Sequence, residues 1–147
     1  MPAFALLDTG VLIRAERRGK EGQDFSPLDF SPWVRYGDAA ISAITASELL
    51  VGVHRATPEA RRIRRSATVE AMLAALPILD ITLEVARVHA KLVATLRQKG
   101  LAMGANDAYI VATALAAGRA LLTTDADDFR RVPGLVVLCL DQPPAAP

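Results

Sequence analysis

At 147 residues, with 52% apolar and 22% charged side chains, the chain is long enough to enclose a core and too apolar for a disordered polymer. Seventeen basic against sixteen acidic residues leave a formal charge of +1, which by itself selects no class of partner. A single cysteine, Cys139, excludes an intrachain disulfide.

FALL (4–7) reads as a strand buried on both faces, the style of a parallel sheet. TGVLIRAERRGK follows as a short helix with a stop at Gly19. Residues 19–37 mix glycine, proline, aromatics and charge, and read as a loop or short-helix segment. AAISAI (39–44) is the second strand, and Thr45 opens the helix TASELLVGVHRA. Thr57-Pro58 predicts a helix start, a capping hydroxyl with proline at the first helical position. The helix PEARRIRRSATVEAMLAAL carries Ile63, Val69, Leu73 and Leu76 on its apolar side. ILDI is a brief third strand. Thr82 caps a long helix with Val85, Val88, Leu92 and Leu96 at three- and four-residue spacing, stopped at Gly100. Asn106 or Asp107 opens the helix DAYIVATALAAG. ALLT is the fourth strand, DADDFRRV a short helix or turn, and LVVLCL the fifth strand, with Cys139 as a small buried side chain.

Strands alternating with helices predict an α/β fold: three α/β/α layers around a mainly parallel five-stranded sheet. Residues 1–147 read as one domain, with 141–147 as a tail. The start, MPAFALLDTG, lacks the basic region of a signal peptide. No run approaches the roughly 18 apolar residues of a membrane span.

In such a sheet, ligands bind outside the carboxyl ends of the strands. Asp8, Glu48, Asp107, Asp125 and Asp128 fall there. Each also has a capping reading. Thr45 with Glu48, and Asp125 with Asp128, have capping-box spacing, Asp107 suits a positive helix end, and Asp8 can cap the helix that Thr9 begins. Gathered together, the acids would repel one another, and a hard divalent cation with oxygen ligands would offset that repulsion. His54 and His89 both lie at mid-helix, so the chain is a poor zinc site. There is no G-x-G-x-x-G after the first strand, no Walker lysine and no G-x-S-x-G elbow. DTG leads into a helical pattern and lacks the β-rich setting of an aspartic protease.

FALLDTGVLI, ITASELLVGV, NDAYIVATALAAGRALLTTDADDF and VPGLVVL, in that order, resemble the PIN-domain ribonucleases, and more narrowly the VapC toxins of toxin–antitoxin pairs. The resemblance covers nearly the whole chain; residues 19–37 are its least family-like part. It implies that Asp8 is the first acid of the site, followed by the hydroxyl of Thr9. Glu48 matches the helical glutamate, Asp107 the third acid, Asp125 the fourth, and Asp128 an auxiliary acid. Thr124 stands where many relatives carry Asn, and Asp127 is an extra acid facing solvent.

The activity so implied is metal-assisted hydrolysis of RNA. Asp8 and Asp107 would be the principal ligands of Mg2+ or Mn2+, as one or two ions. Asp125 would bind through water or complete a second position. Glu48 would orient or deprotonate the attacking water, or ligate a second ion. The resemblance also implies a homodimer, a cognate antitoxin, DNA contact only through that antitoxin, a cytoplasmic location and no membrane. The rival reading is a non-catalytic RNA- or partner-binding protein on the same fold.

Setting aside the five site acids leaves 17 basic against 11 acidic residues. Arg14, Arg61, Arg62, Arg64 and Arg65 are candidates for RNA contact; the RRIRR run also reads as the wet face of a helix, with Ile63 inward. Four of the seven aromatics, Phe25, Phe30, Trp33 and Tyr36, crowd into 19–37. They suggest a surface for antitoxin, dimer or RNA, against the alternative of a small satellite core.

Overall fold

A computed structural model describes residues 4–18 and 39–142. The expected stop at Gly19, the 19–37 segment with its aromatics, and the tail beyond residue 142 lie outside the described residues.

Among the described residues, five strands form one sheet: β1 (Ala5–Leu7), β2 (Ala39–Ser42), β3 (Ile78–Leu79), β4 (Ala120–Thr123) and β5 (Val137–Cys139). Their order is β3-β2-β1-β4-β5, and every pairing is parallel. Among the described residues six helices accompany them: α1 (Thr9–Arg18), α2 (Ala43–Arg55), α3 (Glu59–Ala75), α4 (Leu83–Gln98), α5 (Ala105–Ala116) and α6 (Ala126–Arg130).

The strands divide their side chains between two cores, as period-two alternation requires. Ala5, Leu7, Ala39, Ile41 and Leu122 face α1, α2 and α3, where Leu12, Leu49, Val69 and Met72 close the packing. Leu6, Ala40 and Leu121 face the other way, onto Leu92 and Leu96 of α4, Ile110 and Val111 of α5, and Phe129 of α6. The result is the expected α/β/α fold with its mainly parallel five-stranded sheet. Burying each leucine contributes about 1.5–3 kcal/mol. Leu6 and Leu7 are wholly buried on opposite faces, so β1 holds both layers together.

Several boundaries differ from the sequence reading. β2 stops at Ser42 rather than residue 44, because the Ser42 side chain accepts the Ile44 N–H and starts α2 there. Thr45 therefore lies inside the helix. Pro58 takes the cap position of α3, its extended backbone keeping it out of the helix, and no side chain caps that end. Thr82 does cap α4, accepting from the Val85 N–H at 3.2 Å. α5 begins at Ala105 behind Gly104, so Asp107 is its third residue and not its opener. Cys139 is half-buried rather than buried, because β5 is an edge strand.

Ile63 is the clearest correction: it is 56% exposed. The inward stripe of α3 runs through Val69 and Met72 back to Arg65, at four- and three-residue spacing. Ile63, two residues from Arg65, points roughly to the opposite side. Arg65 takes the inward position by turning its guanidinium onto Glu16 of α1, at 2.7 Å, and onto the Gly52 carbonyl of α2. This ion pair ties the first three helices together.

Candidate active site

Parallel strands place all their carboxyl ends on one edge of the sheet. Asp8 immediately follows β1, and Asp125 lies two residues beyond β4. Glu48 stands in the second turn of α2, which springs from β2. α5 runs back against the strand direction before β4, so its amino end, with Asp107, returns to that same edge.

Asp8 is almost fully buried, and two donors hold it. The Thr9 N–H donates to Oδ1 at 2.9 Å, and the Thr123 hydroxyl donates to Oδ2 at 2.8 Å. Burial raises its pKa above the ordinary carboxylate value; those two hydrogen bonds oppose the rise and the Glu48 charge adds to it. Asp8 thus does take a helix-end N–H, but its other oxygen belongs to β4.

Glu48 is held by Thr9, whose Oγ1 lies 2.7 Å from Oε1 and 3.0 Å from Thr45 Oγ1. A hydroxyl has one hydrogen. The shorter contact to a carboxylate claims it, so the Thr45 hydroxyl must donate to Thr9. The chain runs Thr45 to Thr9 to Glu48. The capping-box reading of Thr45 and Glu48 gives way to this arrangement.

Asp107 is half-buried, and its pKa is pushed up to about 6. Burial is the largest cause, followed by the charges of Asp8, Glu48, Asp128 and Asp125. Asp125 is exposed, and its pKa is raised by a side-chain hydrogen bond with Asp128 and by that neighbour's charge. It occupies the cap position of α6 but makes no capping bond with its side chain. Its own N–H donates to Thr123 Oγ1 at 3.0 Å. Asp127 points to solvent beside Arg130, as expected.

Two close approaches complete the edge. A Cβ on Gly10 would meet Thr124 Oγ1 at 2.9 Å, so the glycine of DTG lets α1 begin against the end of β4. Arg131 donates to the carbonyls of Asp128 and Ala102, tying α6 to the α4–α5 connection ahead of Asp107. Asp107 and Asp128 share a recess of about 320 Å3 with Met103, Phe129 and Arg131.

Among the described residues, no three acidic, His or Cys side chains stand close enough together to hold a metal ion as they are placed. The donor chemistry nonetheless fits a hard cation. Every donor is a carboxylate or hydroxyl, and a carboxylate offers about four lone-pair sites, of which Asp8 uses two. Mg2+ keeps several waters and needs few direct carboxylates. The histidines are elsewhere: His54 is exposed and His89 stacks on Tyr109, with ring centroids 3.8 Å apart.

Of the candidate arginines, Arg14 pairs with Asp141, Arg65 with Glu16, and Arg62 with Glu59 at 3.4 Å on the surface. Arg61 and Arg65 line a pocket of about 420 Å3 together with Glu48, Gly52 and Arg55. Arg55 and Thr123 escaped the sequence reading, and Thr45 was read there only as a helix cap. The threonines resemble ordinary cap and strand residues, and only the fold reveals what their hydroxyls touch.

A family model described as the PIN domain matches residues 5–135. Ribonuclease VapC1 of Rickettsia felis is 35% identical over 133 residues, covering 90% of this chain and 93% of its own. Ribonuclease VapC4 of Mycobacterium tuberculosis is 34% identical over 136 residues, covering 92% and 96%. The crystal structure of VapBC-5, a toxin–antitoxin system of Mycobacterium tuberculosis, contains a chain that superposes with a TM-score of 0.71 at 29% identity, covering 94% of this chain and 98% of that one. FitAcB from Neisseria gonorrhoeae shares the fold, with a TM-score of 0.77 at 24% identity, covering 95% and 99%. The chain belongs to the PIN-domain family, within its VapC branch.

Proposed function

We propose that the chain is a toxin endoribonuclease that hydrolyses RNA phosphodiester bonds with a divalent cation, Mg2+ or Mn2+, held by Asp8, Asp107 and Asp125. The observation that carries this reading is the gathering of Asp8, Glu48, Asp107, Asp125 and Asp128 at one edge of the sheet, where burial first and then the other four charges raise the pKa of Asp107. A site that concentrates carboxylate charge is suited to a cation. VapC1 and VapC4, both ribonucleases, support the reaction class.

The bound cation would neutralise the phosphate and lower the pKa of an attacking water. The chain's own residues supply the rest. Asp8 is pre-oriented by Thr9 and Thr123, so its carboxylate needs little reorganisation. Glu48, fixed by the Thr9 hydroxyl, orients the attacking water and accepts its proton. A cation would favour the ionised form of Asp107, and Asp128 adds its charge beside Asp125 at the rim. Thr124 and Gly10 fix the spacing between the ends of β1 and β4. Water attack would leave 5′-phosphate and 3′-hydroxyl ends. Arg55 and Arg61, in the pocket beside Glu48, would hold the RNA backbone next to the cleaved bond.

A cognate antitoxin partner and a homodimeric state belong to the same proposal. The VapBC-5 relative, solved as a toxin–antitoxin system, supports the antitoxin. DNA would be met only through that antitoxin.

Purified chain should cut RNA with Mg2+ or Mn2+ and stop on chelation, and Asp8→Asn should reduce cutting by about 100-fold or more, as the loss of one charge-stabilising group typically does (~10²–10³). Equal activity in the variant would refute the site. RNA binding indifferent to metal, without cleavage, would favour the non-catalytic binder.

A further inference from the structure

The geometry points to Thr123 as a positioning residue that joins the first and fourth acids of the site. This inference rests on the assignment of Asp8 and Asp125 as cation-holding groups, and it concerns a side chain outside the acid set. Thr123 is the last residue of β4 and is wholly buried. Its hydroxyl donates to Asp8 Oδ2 at 2.8 Å and accepts the Asp125 N–H at 3.0 Å.

A hydroxyl has one donor and two acceptor sites, so both bonds form at once without competition. Their directions are fixed. A carboxylate accepts only, and an N–H donates only, so the hydroxyl hydrogen must point at Asp8. The bond to Asp8 spans 115 positions of sequence, while the bond to Asp125 closes the turn between β4 and α6. One oxygen therefore shares with the Thr9 N–H in setting the rotamer of Asp8, and it also holds the backbone position from which Asp125 departs.

The geometry explains why this position needs a hydroxyl. The β1–β4 register pairs Leu7 with Leu122, which sets Thr123 beside Asp8 at the end of the ladder. The Asp8 N–H donates to the Leu122 carbonyl at 2.8 Å, so the backbone holds the two residues together whatever the side chain. Two bonds then orient the carboxylate, the Thr9 N–H on Oδ1 and the Thr123 hydroxyl on Oδ2, and only the second depends on a side chain. A valine would fit the space, but it would leave Asp8 Oδ2 and the Asp125 N–H without their partner.

The test uses the metal-free full chain and titrates Mn2+ by calorimetry, with RNA cleavage as a second readout. Thr123→Val and Thr123→Ala remove the hydroxyl, and Thr123→Ser keeps it. Both hydroxyl-free variants should bind Mn2+ about 10-fold more weakly, within the range of about 10–100-fold typical of groups that orient metal ligands. Their kcat should fall with little change in KM. Thr123→Ser should bind and cut within about 2-fold of the wild type. Unchanged Mn2+ affinity in Thr123→Val would overturn the inference. So would a loss in Thr123→Ser as large as in Thr123→Ala, which would assign the residue to packing. If the hydroxyl-free variants do not fold, the serine variant decides alone: near wild-type Mn2+ affinity supports the hydroxyl's role and a 10-fold loss refutes it. Wild-type protein that neither binds Mn2+ nor cuts RNA would instead refute the proposed function beneath it.

Discussion

Burial, and then the charges of the neighbouring acids, push the pKa of Asp107 to about 6 against an ordinary 3.8. Between those two pH values the folded chain holds a proton that the unfolded chain has released. Stability therefore falls as pH rises through that window, and the loss is complete above about pH 6. Asp107→Asn removes this dependence. In metal-free protein, the variant's melting temperature relative to the wild type should climb from about pH 4 and level off above about pH 6. A difference independent of pH would contradict the shift. The same proton links to metal: at about pH 6, cation binding should release protons, seen as a buffer-dependent heat in calorimetry. Asp8→Asn should not destabilise the metal-free fold by more than about 1 kcal/mol, because it removes a charge that burial penalises and its amide can still meet Thr123. Asp8 stood out in the sequence because a carboxylate directly ends an apolar run, whereas the other acids each also suited a helix end and were grouped by the family resemblance. The contacts of Thr45 and Thr123 were not legible there, because a hydroxyl's partner depends on the neighbouring strand and not on local sequence.

At the scale of elements, the strands were legible because both-face burial leaves short apolar runs, and ALLT coincides with β4 residue for residue. Helix starts were legible only where one hydroxyl stood alone. Thr82 caps α4 as expected, whereas Ser42 pre-empts Thr45 three residues earlier. The face of α3 was misjudged because arginine was counted as outward. Arg65 can lie inward only because Glu16, on another helix, receives it. This assigns different costs along one helix. Ile63→Glu, at an exposed position, should change stability by no more than about 0.5 kcal/mol. Met72→Ala, at a wholly buried one, should cost about 2–5 kcal/mol. Chemical denaturation of both variants checks the pair, and an equal cost would restore Ile63 to the core.

Over the whole molecule, a formal charge of +1 conceals a separation of sign. The acids lie along the carboxyl edge of the sheet, while Arg55, Arg61 and Arg65 line the pocket that begins at Glu48. Arg65 is neutralised by Glu16, and Arg14 by Asp141, so neither is well placed to bring net positive charge to a polyanion. Arg55 and Arg61 are exposed at the mouth. Each phosphate neutralised on a single strand contributes about 0.7 to the slope of log affinity against log salt. In an Asp8→Asn background, which prevents cutting, RNA affinity should fall with added salt. Replacing Arg55 and Arg61 together with Gln should weaken that affinity and reduce the slope by about 1.4, two phosphates' worth. Arg62→Gln, which breaks only a surface pair with Glu59, should leave the slope as it was. Filter binding across a salt series reads all three. An unchanged slope in the double variant would remove the pocket from the RNA path and leave those arginines to the antitoxin or to solvent.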